Sequence, residues 1–172
     1  MYTKKVCILG APAVGKSSLI RRFLGAEFSE TYHATTGADI EKVVLELEAD
    51  KVHLMLWDIQ GMDESAQGFS HYLKGAAAII YVVDGTQMET LDRALELRQK
   101  SKDYLGSAVP SIMLFNKSDL AQHWEISSSM INDVEADGIF AILTSSRDGC
   151  GVDTAFNLIA RVMLGKSSLV AA

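Results

Sequence analysis

Eight residues near the N-terminus, Gly10-Ala11-Pro12-Ala13-Val14-Gly15-Lys16-Ser17, restrict this chain more than any other stretch. They match GxxxxGK[S/T] and stand between a strand-like apolar run, Lys5 to Leu9, and a helical pattern. In that pattern Leu19, Ile20, Phe23 and Leu24 fall on one face, and Gly25 ends it. A tight glycine-bearing turn at such a junction points successive backbone N–H groups inward, and the helix behind it adds the positive end of its dipole. The expected product is an anion cradle. The N–H groups from Ala13 through Val14, Gly15, Lys16 and Ser17 to Ser18 would line it, Lys16 would lie along outer phosphates, and the Ser17 hydroxyl would reach a magnesium ion.

Beyond the cradle, strand-like and helix-like patterns alternate. Residues 26–38 show neither a two-residue nor a 3.6-residue period, and a loop of that length inside a small domain is usually functional. Val43, Leu45 and Leu47, a break at Ala49-Asp50, then Val52, Leu54 and Leu56 read as an antiparallel hairpin. A second irregular segment runs from Trp57 to about Ser70. Ala76 to Val83 is a buried strand, Thr90 to Tyr104 a helix, and Ser111 to Phe115 a strand. A weaker helix at 127–136, a strand at 139–143 and a helix carrying Val152, Ala155, Phe156, Ile159, Ala160 and Met163 complete the series. The expected fold is α/β and three-layered, with a six-stranded, mostly parallel sheet and one antiparallel strand. In such sheets ligands bind beyond the carboxyl ends of the strands, and Gly10, Asp58, Asn116 and Thr144 all stand there.

Each of those strand ends carries chemistry. Asp58-Ile59-Gln60-Gly61 is a DxxG, whose carboxylate can hold magnesium through a water and whose glycine can bring its N–H close to a terminal phosphate. Asn116-Lys117-Ser118-Asp119 is more selective. The Asp119 carboxylate can accept from both N1–H and the 2-amino group of guanine, a donor pair that adenine lacks. The Lys117 stem can cover the ring while Asn116 ties loops together. Thr144, Ser145, Ser146 and Arg147 either offer N–H groups to the base oxygen or form a helix N-cap cluster. Phe28 either packs edgewise on the base or anchors its loop in the core.

Composition narrows the alternatives. With 172 residues, 48% hydrophobic and 22% charged, the chain suits one globular domain, with residues 1–165 as the body and 166–172 as a short tail. A net charge of −6 argues against a broad nucleic-acid or anionic-membrane surface. Cys7 and Cys150 do not make a disulfide framework, which leads to the expectation of a reducing cytoplasm. His33, His53, His71 and His123 lack metal-ligand spacing, and no terminal cysteine offers a site for a prenyl anchor.

Taken together, Gly10 to Ser17, Thr35 with Gly37, Trp57 to Gly61, Asn116 to Asp119 and Ser145 to Arg147 resemble the Ras superfamily of small GTPases over nearly the whole chain. Phe28 to Tyr32, Thr35 to Ile40 and Tyr72 to Ala76 are most similar to the Rab branch. The resemblance implies six strands and five helices, GTP and GDP as ligands, and magnesium as cofactor. It also implies that Thr35 joins Ser17 and Asp58 at the metal only when the third phosphate is present, so that the loop orders with GTP and relaxes with GDP. Lys16, Thr35, Gly61 and the residue after that glycine would carry hydrolysis. Effector, exchange and activating proteins would read the loops, and Trp57, Ile40 and Tyr72 either form an apolar patch for them or brace the second loop.

Three positions depart from the family pattern. Met62 stands where a glutamine usually orients the attacking water, and a thioether cannot hold that water as an amide does. Slow intrinsic hydrolysis is therefore expected. Gln60, before the glycine, would need a rearranged loop to substitute. Pro12-Ala13 stiffens the phosphate loop and removes one N–H, while the inward donors from Ala13 onward remain. The third departure is the tail, where no prenylatable cysteine stands to carry the usual membrane anchor, either because the protein has none or because the chain is cut short. The expected function is a GTPase switch; the alternative is a scaffold that holds GTP without turning it over, and an adenine-using P-loop enzyme is disfavoured by Asp119.

Overall fold

The structure is a computed structural model that describes residues 2–25, 37–47, 50–60, 66–106 and 109–165. Six strands make one sheet: β1 (Tyr2–Gly10), β2 (Gly37–Leu47), β3 (Asp50–Gln60), β4 (Ala76–Asp84), β5 (Ser111–Asn116) and β6 (Phe140–Leu143). Their order across the sheet is β2-β3-β1-β4-β5-β6, with β2 antiparallel to β3 and every other pairing parallel. Five α-helices accompany them: α1 (Lys16–Phe23), α2 (Ala66–Leu73), α3 (Met88–Leu105), α4 (Ser128–Ala136) and α5 (Val152–Met163). A short 3₁₀ segment, Ser118–His123, follows β5.

The unbroken apolar runs of β1, β4 and β5 reflect burial on both faces of the sheet. Along β1, Val6 and Ile8 point to one core, with Leu54, Leu56, Ile80, Val82 and Leu114. Cys7 and Leu9 point to the other, with Ile79, Tyr81, Val83, Met113 and Phe115. The first core is closed by Leu19 and Ile20 of α1 and by Phe156 and Ile159 of α5. There the rings of Phe23 and Phe156 stack at 4.1 Å between centroids, nearly parallel at 11°. The second is closed by Phe69 and Leu73 of α2, Leu91, Ala94 and Leu97 of α3, and Val134 of α4.

Two elements extend beyond what periodicity predicts. β2 starts at Gly37, because pairing with β3 carries Asp39 to Lys42 although all four side chains are exposed. α2 occupies part of the segment read as irregular to about Ser70. It rests on Phe69 and Leu73, one helical turn apart, and its Gly68 and Ser70 are weak helix formers that mask the pattern. At α4 the sequence signal is direct, since Ser127 caps the helix through its hydroxyl, which accepts from the Met130 N–H at 3.2 Å.

Candidate functional site

The turn between β1 and α1 is built by steric exclusion. A Cβ on Gly10 would stand 2.4 Å from the Val82 carbonyl oxygen, and one on Gly15 would stand 2.3 Å from Asn116 Nδ2. Only glycine fits either place. Ala13 at φ 62° and Gly15 at φ 104° adopt left-handed backbone conformations, which alternate the peptide planes and turn N–H groups into a concavity. Lys16 is 1% exposed, and its ammonium donates to the carbonyls of Gly10 and Ala11, both at 3.0 Å. Burial lowers its pKa to about 8, with the Asp58 carboxylate pulling the other way.

Ser17 and Asp58 meet across the cradle. The Ser17 hydroxyl donates to Asp58 Oδ2, while Asp58 Oδ1 is buried without a hydrogen-bond partner among the described residues. Burial raises the pKa of Asp58 above the usual carboxylate range; the Ser17 hydroxyl and Lys16 oppose that shift. An orphaned buried carboxylate oxygen beside a hydroxyl suits a small hard cation that takes few protein ligands and completes its shell with water and phosphate. The donor set therefore fits magnesium. Among the described residues no group of three or more His, Cys, Asp or Glu side chains is placed to hold a metal.

On the far side of the cradle, Asn116 joins three loops. Its Nδ2 donates to the Val14 carbonyl at 2.9 Å, and its Oδ1 accepts from the Ser146 N–H at 3.2 Å and the Thr144 hydroxyl at 3.3 Å. Asn116 is fully buried, so each bond replaces water that cannot reach it. Ser145 Oγ donates to Asp119 Oδ1 at 2.7 Å and orients that carboxylate. The loop N–H groups are largely engaged within the protein: Thr144 N–H donates to Phe115, and Ser145 N–H to Cys150, both at 2.9 Å. The Ser146 bond is the longest of these and the easiest to exchange for a base oxygen. Behind the loop, Arg22 at the end of α1 donates to the Asp148 carbonyl at 2.8 Å.

Lys117 takes a left-handed conformation at φ 67°, and its ammonium pairs with Asp84 Oδ2 at 2.6 Å. Asp84 ends β4, is 1% exposed, and also accepts from the Thr86 N–H and hydroxyl through Oδ1. Sequence reasoning left it out. The strand-end rule that selected Asp58 and Asn116 applies equally to Asp84, which would have exposed it. Next to it, a Cβ on Gly85 would fall 2.0 Å from the Trp124 ring, so the indole lies directly against the backbone. The structure thus brings together Ala13 to Ser18, Asp58, Asn116, Lys117, Asp119, Ser145 and Ser146, with Arg147 next in the same loop. Phe28, Thr35, Gly61 and Met62 lie outside the described residues.

Comparison with known proteins supplies the family. The model of the Ras family matches residues 5–165. The chain is 30% identical over 168 residues to the Ras-related protein RABA5b of Arabidopsis thaliana, covering 97% of this chain and 77% of that protein. It is 30% identical over 164 residues to the Ras-related protein Rab-13 of Mesocricetus auratus, covering 95% and 81%. Likewise it is 30% identical over 161 residues to the GTP-binding protein ypt1 of Schizosaccharomyces pombe, covering 93% and 79%. With the family model spanning residues 5–165 and these relatives 30% identical over nearly the whole chain, the chain belongs to the Ras family and is a Rab-like, GTP-binding small GTPase.

Proposed function

We propose that this GTPase is a slow switch: it binds GTP or GDP with magnesium, selects guanine through Asp119, and hydrolyses GTP at a low intrinsic rate because Met62 replaces the water-orienting glutamine. The observation that carries the base reading is the buried Asn116 network, which connects the phosphate loop to the Thr144–Ser146 loop while Ser145 orients Asp119. Ser17 and Asp58 would hold the magnesium, Asp58 through a water, and Thr35 would join them with GTP. The ion supplies charge neutralisation on the outer phosphates. Lys16 exchanges its two loop carbonyls for phosphate oxygens, gains charge-assisted bonds and is kept protonated by them. Lys117, anchored on Asp84, lays its stem along the base.

Partners would read the switch side. Ile40 is 44% exposed and faces Trp57 across the β2–β3 ladder, and the Tyr72 hydroxyl lies near Gly37 at the start of β2. This arrangement supports an apolar patch for effector proteins.

The test is calorimetry on nucleotide-stripped protein followed by single-turnover hydrolysis. GTP and GDP should bind and ATP should not, and Met62→Gln should hydrolyse GTP roughly tenfold faster than the native chain. Equal binding of ATP would overturn the base reading. Hydrolysis that Met62→Gln leaves unchanged would overturn the slow-switch reading, and a complete absence of turnover in both proteins would make the chain a GTP-holding scaffold.

A further inference from the structure

β2 is the outermost strand of the sheet, paired with β3 on one side and with no strand on the other among the described residues. That open edge is 11 residues long, whereas the opposite edge strand, β6, has only 4. A long row of unpaired N–H and C=O groups is a template for another strand. Ile40, Lys42, Val44 and Glu46 share one face of β2, with Ile40 44% and Val44 50% exposed. Val43, Leu45 and Leu47 point the other way, to the core beneath α1 and α5.

We propose that a second copy of this chain adds to this edge, antiparallel, about a two-fold axis at Val44. Two identical antiparallel strands pair only in registers that place a residue opposite one of the same parity, so that outward backbone groups meet. Few such registers exist here, and charge decides among them. Centred on Ile40, Asp39 meets Glu41; centred on Glu41, that carboxylate meets itself; centred on Lys42, that ammonium meets itself. Centred on Val43, Lys42 and Glu46 face apolar residues; centred on Leu45, Glu46 faces Val44 and only residues 43–47 of the strand overlap; centred on Glu46, that carboxylate meets itself. Centred on Val44, Lys42 faces Glu46 of the second copy and Glu46 faces its Lys42, with Val44 on Val44 and Val43 on Leu45 between them. Residues 41–47 then overlap with two opposite-charge pairs and no like-charge pair.

The charged residues of the edge act as a register key. Lys42 in mid-edge opposes pairing in other registers, which is how natural sheets protect open strands, yet it is satisfied in this one. Glu46 already pairs with Lys51 across the hairpin at 2.6 Å, with both side chains well exposed. An exposed pair of that kind is weak and readily shared, so Glu46 would lie between two ammonium groups. The contact is isologous and closes at two copies. It uses the edge of β2, not the Ile40–Trp57 face, and does not depend on nucleotide chemistry.

Sedimentation equilibrium on the full chain over rising concentration tests this. The native protein should move from monomer to dimer. Lys42→Glu or Glu46→Lys alone sets two like-charge pairs against each other and should weaken dimerisation about tenfold. An equimolar mixture of these two variants should restore native association, because every pair across the axis again joins opposite charges. Both substitutions are on exposed side chains, and circular dichroism checks that the variants remain folded. A native chain that stays monomeric at the highest concentration would overturn the proposal and leave the edge to a different partner strand. A dimer indifferent to either substitution, or a mixture that fails to associate, would overturn it equally.

Discussion

The two halves of the nucleotide site differ in how far the protein satisfies itself. On the base side, Asn116, Thr144, Ser145, Ser146 and Asp119 are hydrogen-bonded to one another and to the Val14 carbonyl. On the phosphate side, Lys16 is folded back on its own loop with its charge disfavoured by burial, and Asp58 keeps a buried oxygen without a partner among the described residues. The base side is therefore preorganised by the fold. The phosphate side holds polar groups whose cost the fold carries until an anion and a cation meet them, so dependence on the bound nucleotide should concentrate there.

Three measurements would break or sharpen that contrast. The largest effect belongs to Asn116→Ala, which leaves the Val14 carbonyl, the Ser146 N–H and the Thr144 hydroxyl buried without this partner. Denaturant unfolding of the stripped protein should show a loss of about 2–4 kcal/mol, and no loss would mean that the base side is not self-supporting. Asp58→Asn should behave in the opposite sense. Removing a buried charge should change the stripped protein by less than about 1 kcal/mol, while magnesium-dependent retention of GTP should fall by roughly tenfold or more. A large loss of stability in the stripped form would contradict the contrast.

The smallest effect is a pH dependence. Lys16 is held at about 8 in the folded chain against an ordinary 10.5. Between those values the unfolded chain keeps a proton that the folded chain has released, so the stability of the stripped protein should rise with pH across that window. Lys16→Met should remove this rise when unfolding is compared from pH 7.5 to 10.5, as should saturating GTP, whose phosphates hold the lysine protonated. An identical slope in the native and Lys16→Met proteins would show that Lys16 is not the group responsible.

Much of this was legible in the sequence because burial on two faces writes itself as uninterrupted apolar runs. β1, β4 and β5 were recognisable from the runs Lys5 to Leu9, Ala76 to Val83 and Ser111 to Phe115. Strand ends then pointed to Gly10, Asp58, Asn116 and Thr144 without side-chain coordinates. What was hidden lacked such a signature. The first half of β2 is held by backbone pairing alone, and α2 by two apolar anchors one turn apart. Asp84 joins this site by pairing with Lys117, a residue 33 positions away, and no local pattern encodes that pairing. The 3₁₀ segment carrying Asp119 was also unforeseen, since six residues are too few to show a period.

The placement of the two tryptophans gives the molecule a built-in pair of optical probes. Trp57 lies in β3 with the Lys5 ammonium 3.7 Å from its ring centroid, and Trp124 lies against Gly85, just past the end of β4. The two indoles sit in different surroundings, one next to a cation and the other pressed on backbone. Fluorescence from Trp57→Phe and Trp124→Phe proteins can thus follow the surroundings of β3 and of the β4 end separately, with no label attached.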